Sequence, residues 1–103
     1  MVRKFFEEND EALDLYTKAI TKAHGRNHPE VFEVRDIYQR IQGKVRGGDL
    51  DLADEFSRLR EVTHDYAIPG DVCGTFRATY GLLGEFDRLA GEGNPKTESE
   101  VRS

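Results

Sequence analysis

The chain is 103 residues long, 37% apolar, with a formal net charge of -5 and a pI near 5.2. That length suits one small domain and leaves no room for a second independent core. The acidic balance excludes a general nucleic-acid surface, since nonspecific affinity comes from clustered cations that release counterions. The single Cys73 excludes an intramolecular disulfide, and no apolar run approaches the ~20 residues needed to cross a bilayer. The N-terminus, Met1-Val-Arg-Lys-Phe-Phe-Glu-Glu8, turns acidic before a signal-peptide core forms, so a cytoplasmic location is expected.

Ala12, Tyr16, Ala19, Ile20 and Ala23 recur at separations of three and four, which predicts a first helix from about Asn9 to His24. Gly25 is its stop signal. Pro29 suits a first helical position, where its missing N–H costs nothing, and Glu30 and Glu33 favour the positive end of the second helix. Val31, Val34, Ile37, Tyr38, Ile41 and Val45 form its stripe, and Gly47-Gly48 breaks it. Asp49 or Asp51 is a candidate cap for a third helix with a stripe of Leu52, Phe56, Leu59 and Val62. Ala67-Ile-Pro-Gly70 interrupts that helix. Val72, Phe76, Tyr80, Leu83 and Phe86 mark a fourth, ending near Ala90.

The fourth helix contains Gly74, Gly81 and Gly84, each costing about 1 kcal/mol relative to Ala in a helix interior. Close packing against a neighbour is the expected compensation; a helix that opens for a ligand or partner is the other reading. Residues 91–103 carry no apolar stripe and read as a flexible polar tail, leaving 1–90 as the domain. Amphipathic helices with short links predict an all-α, antiparallel, up-and-down four-helix bundle.

In that topology the first and third links emerge at one end, so His24, His28 and Glu30 share it with His64, Asp65, Asp71 and Cys73. Imidazole, thiolate and carboxylate are all ligands for a single zinc or iron ion, although their spacing here matches no metal signature. The other reading makes them helix caps and loop hydrogen bonds. Cys73, near a helix N-terminus, is a candidate for a lowered pKa and reaction with oxidants or nitric oxide derivatives; the alternative is a small packed thiol. No acid–base pair stands out among the 20 acidic residues, and the glycines at 70, 74, 81 and 84 follow no predicted strand, as a phosphate cradle would require. Arg35, Arg40, Lys44 and Arg46 give helix two a basic side or are ordinary charge alternation. An enzyme is not expected.

Two stretches add a resemblance. Thr21-Lys-Ala-His-Gly-Arg-Asn-His-Pro-Glu-Val31 and Arg58-Leu-Arg-Glu-Val-Thr-His-Asp-Tyr-Ala-Ile-Pro-Gly-Asp-Val-Cys-Gly-Thr-Phe-Arg-Ala-Thr-Tyr80 resemble the hemerythrin-like di-iron proteins of the iron-sulfur cluster repair family, over roughly residues 10 to 90. In that family two irons are held by histidines and His-x-x-x-Glu pairs from four helices, because residues four apart share a helix face. Here Ile41-Gln-Gly-Lys-Val-Arg-Gly-Gly48 holds no such pair. Asp49-Leu-Asp-Leu-Ala-Asp-Glu55 has no early His, no His precedes His24, and Gly93 and Thr97 stand where the last ligands should be. The resemblance therefore implies a shortened member without the iron ligands, joined across the deletion by Arg46-Gly-Gly-Asp49, with no di-iron centre and no cofactor.

Its expected role is protein binding: regulating or pairing with iron-sulfur repair or stress-response proteins. The alternative is a stress-responsive metal- or thiol-based protein using His24, His28, Glu30, His64 and Cys73. Shortening is expected to expose Phe5, Phe6, Val45, Leu50, Leu52 and Leu89 at the new end, with Phe6, Leu50, Leu52 and Leu89 as partner-binding residues. A twofold homodimer held by that end is the expected assembly.

Overall fold

The computed structural model describes residues 2–92. They form four helices, α1 (Val2–His24), α2 (Glu30–Arg46), α3 (Ala53–Thr63) and α4 (Gly74–Glu92), with no strand among the described residues. Gly91 and Glu92 continue α4 rather than opening a tail, and the rest of the expected tail, Gly93 and Thr97 included, lies outside the described residues. None of the helices is long and apolar enough to cross a membrane.

α1 begins at Val2, well before Asn9, and its buried stripe is Phe6, Leu13, Thr17 and Ile20. Of the stripe read from the sequence Ile20 is buried, but Ala12, Tyr16 and Ala19 are only half-buried and Ala23 is exposed. Larger side chains decide which face turns inward, because each offers more apolar area to remove from water than an alanine does. Thr17 is tolerated there because its hydroxyl donates to the Leu13 carbonyl at 2.7 Å.

α2 buries Val31, Val34, Ile37, Tyr38, Ile41 and Val45, the whole expected stripe. Pro29 sits one position earlier than expected, as the cap, with φ -61°. The helix ends in a Schellman turn: the Asp49 N–H donates to the Lys44 carbonyl at 2.8 Å and the Gly48 N–H to the Val45 carbonyl at 3.0 Å. Gly48 has φ 88°, which a residue without Cβ adopts at little cost.

The cap position of α3 is Leu52, not Asp49 or Asp51, and its side chain makes no capping bond; Asp51 Oδ1 accepts only a long bond from the Ala53 N–H at 3.5 Å. The Asp49 carboxylate accepts from the Asp51 N–H at 2.9 Å instead, a local Asx turn that competes with capping. Of its stripe, Leu52, Phe56 and Leu59 are buried and Val62 is half-buried; in α4, Phe76, Tyr80, Leu83 and Phe86 are buried, while Val72 is half-buried in the preceding loop.

Cross-helix contacts define the arrangement. Arg46 and Gln42, late in α2, reach Asp10 in the first half of α1. Lys44, late in α2, pairs with Glu55 early in α3 at 3.0 Å, and Arg60, late in α3, pairs with Asp87 late in α4 at 2.7 Å. α1 lies against both α2 and α4, α2 against α3, and α3 meets α4 only narrowly.

The end expected to expose an apolar patch is closed. The rings of Phe5, Phe6 and Phe56 lie 5.2, 6.3 and 5.1 Å from that of Phe86. Phe6, Val45, Leu52 and Leu89 are buried and Phe5 is half-buried, which corrects their reading as surface residues; of the nominated residues only Leu50 is exposed, at 43%. The early start of α1 is the reason, because its first turns bring Phe5 and Phe6 over the ends of the other helices.

Candidate functional site

The opposite end is built by two links and the helix termini they join. After His24, Gly25 turns the chain: its N–H donates to the Thr21 carbonyl at 3.1 Å, and the His28 N–H donates to the His24 carbonyl at 2.7 Å. This places both imidazoles above Phe76 on α4. Their rings lie 5.3 and 5.7 Å from the Phe76 ring and 6.3 Å from each other. Phe76 in turn packs on Tyr80 at 4.5 Å.

The second link starts with three consecutive left-handed residues, His64, Asp65 and Tyr66, at φ 54°, 58° and 63°. No glycine is among them, so each carries a steric cost of about 1 kcal/mol or more. Local bonds hold the turn. The Asp65 N–H donates to the Arg60 carbonyl at 2.8 Å, the Tyr66 N–H to Thr63 Oγ1 at 2.8 Å and the Ala67 N–H to the Thr63 carbonyl at 3.1 Å. The Tyr66 hydroxyl donates to Asp87 at 2.9 Å, and the same carboxylate takes both its oxygens to Arg60. Burial first, then the charge of Asp87, pushes the Tyr66 phenol well above its ordinary value, so it remains a donor.

From this turn the link runs to Asp71 and Cys73, and each meets one histidine. His28 Nε2 lies 3.0 Å from Asp71 Oδ1 and its Nδ1 3.4 Å from Glu30, so one imidazole bridges two carboxylates. His24 Nε2 lies 3.2 Å from Cys73 Sγ. The exposed Cys73 thiol is lowered to about 7, first by the hydrogen bond with His24 and then by the backbone N–H of Phe76 at the start of α4, against a small opposing effect of burial. Imidazole and oriented N–H groups together favour the thiolate.

Of the residues nominated from sequence, His24, His28, Glu30, Asp71 and Cys73 come together, whereas His64 stands apart as the exposed left-handed cap of α3. Asp65, in the same turn, is likewise exposed. No three His, Cys, Asp or Glu side chains among the described residues are grouped so as to hold a metal ion. The sequence reading missed Phe76 as the floor of the site and Tyr80 beneath it. Tyr80 is buried, its hydroxyl has no hydrogen-bond partner, and burial followed by the charge of Glu30 raises it well above the usual tyrosine range. Both residues were legible only as members of a core stripe.

A polar network ties α1 to α2. Asp10 accepts from the Tyr38 hydroxyl at 2.5 Å, Gln42 at 2.8 Å and Arg46 at 2.6 Å. Asp14 accepts from Arg35 at 2.9 Å and Gln42 at 3.0 Å. Burial raises the pKa of Asp10, but its three donors outweigh that and hold it below the carboxylate range. Two guanidiniums, an amide and a phenol thus donate to these two carboxylates. Comparison of the chain with protein-family models, curated proteins and solved structures finds no match.

Proposed function

We propose that this chain is a hemerythrin-like helical module without a di-iron centre, and that its working site is the Cys73–His24 pair, acting in a stress-responsive thiol protein. The antiparallel up-and-down order is part of the proposal. It is supported by the pairing of Asp10 with Arg46 and of Lys44 with Glu55, and by the meeting of the first and third links. One observation carries the function: an exposed thiol 3.2 Å from an imidazole nitrogen, at the start of a helix. A nucleophile beside a base is the arrangement thiol chemistry needs, because the thiolate and not the thiol reacts.

The rate of iodoacetamide alkylation tests it. The wild type is expected to reach half its maximal rate near pH 7, and His24→Ala to move that midpoint toward the ordinary 9.0 with helicity retained. A wild-type midpoint near 9, or an unchanged one in the variant, rejects the reading. A second reading, binding to another protein or a second copy in the manner of a module that pairs with iron-sulfur repair proteins, is favoured by the exposure of Leu15 and Phe32, at 62% and 56%. Sedimentation velocity on wild type and on Leu15→Glu, Phe32→Ser tests self-association.

A further inference from the structure

The second link is clasped to the first at two points, Cys73 on His24 and Asp71 on His28, at 3.2 and 3.0 Å. Behind the clasp the link carries three left-handed residues that are not glycine, a strained conformation that the local bonds of the turn and the packing around it must hold. Tyr80, 2% exposed, stacks at 4.5 Å on the Phe76 ring that the two imidazoles cover, and its hydroxyl, which feels the charge of Glu30, has no partner. A buried donor without an acceptor loses the hydrogen bond it would make to water, so opening this end recovers it. Strain in the link and the orphan hydroxyl behind Phe76 both favour release. The exposed sulfur is part of what holds the end closed.

We propose that Cys73 is a site of reversible mixed-disulfide formation with small disulfides, and that the adduct releases the 64–73 link from His24 and uncovers Phe76 and Tyr80. The inference rests on the thiol reading above and adds its co-reactant and consequence. The chain has one cysteine, so a disulfide at Cys73 takes its second sulfur from outside the chain. The Cys73 proton passes to His24 Nε2, and the thiolate attacks one sulfur of the small disulfide. A new S–S bond forms, the original S–S bond breaks, and the other half leaves as a thiolate with the electron pair and is protonated by solvent. Excess small thiol reverses each step. In the adduct the sulfur is a neutral disulfide, a poor acceptor for the imidazolium and for the helix N–H groups, and it carries a bulky substituent at the 3.2 Å contact.

Hydrogen exchange on the intact chain, before and after glutathione disulfide, tests both parts. One glutathione per chain at Cys73 is expected, with exchange of amides 64–80 faster by about tenfold, amides 31–45 changed less than about twofold, and full reversal by excess thiol. His24→Ala is expected to speed the same amides without any adduct, and Tyr80→Phe to slow them, because the hydroxyl that gains a partner on opening is gone. Fully modified protein with unchanged exchange at 64–80 overturns the release while the thiol function stands. Alkylation by iodoacetamide without reaction with glutathione disulfide, or a covalent dimer as the only product, overturns the co-reactant. Inertness to both reagents overturns the thiol reading as well, and faster exchange in Tyr80→Phe overturns the role of the orphan hydroxyl.

Discussion

Gly25 shows how a single missing Cβ positions the site. A methyl group built there would stand 2.4 Å from the Thr21 carbonyl oxygen and 2.6 Å from the Phe32 ring. The carbonyl belongs to the end of α1 and cannot swing aside, so the cost falls on the turn that brings His28 above Phe76. Gly25→Ala is expected to destabilise the fold by about 1–3 kcal/mol, the range for overpacking. It should also disturb the His28–Asp71 contact, which NMR of the imidazole would report. Unchanged denaturant midpoint and imidazole shifts would mean that the turn has slack. The glycine was legible in the sequence as a helix stop, whereas the closeness of Phe32 was not, since it depends on how α2 folds back.

Among the helices, α4 departs most from what its composition suggests. Close packing was the expected compensation for Gly74, Gly81 and Gly84. Yet a Cβ at Gly74 or Gly81 would meet nothing within 4 Å, and one at Gly84 would only touch the Tyr66 ring at an ordinary 3.6 Å. Gly81, exposed in the helix interior, is therefore a simple propensity loss. Gly81→Ala is expected to stabilise by about 1 kcal/mol, and thermal melting should rise by roughly 4–8 °C for a domain of this size. A lower melting temperature would reveal a contact that Gly81 permits. α2 was the most legible element, because six large apolar residues at helical spacing leave one way to face a core. α1 was the least, because of the stripe read from the sequence only Ile20 is fully buried, and Phe6, Leu13 and Thr17 make up the rest of the inward face.

For the molecule as a whole, the closed aromatic end removes the reason for a dimer through Leu52 and Phe6. Leu15 and Phe32 are instead the most exposed large apolar side chains among the described residues, one on α1 and one at the start of α2. If either meets a second copy, Leu15→Glu, Phe32→Ser is expected to shift a wild-type dimer to monomer in sedimentation velocity at tens of micromolar protein, leaving the circular dichroism unchanged. A wild type already monomeric there rejects self-association. Asp10 and Asp14 anchor a network that ties α1 to α2. Those carboxylates accept from Tyr38 and Gln42, which would otherwise be buried without partners, and from the half-buried Arg35 and the exposed Arg46.

Periodicity, glycine and proline were enough to divide this chain into four helices and to name most of the core, because burial of large apolar side chains dominates and its spacing is written in the sequence. The same reading put His24, His28, Glu30, Asp71 and Cys73 at one end through topology alone. Which of them touch was decided by the tertiary structure. His24 faces sulfur and His28 faces carboxylates because Gly25 sets the first link and three left-handed residues set the second. His64, equally eligible by residue type, was turned outward by that same backbone. The apolar end was likewise decided by packing, since only the assembled helices bring Phe5 and Phe6 from the start of α1 against Phe86 near the end of α4. Contacts between residues far apart in the chain depend on the angles of links a few residues long, and composition does not encode those angles.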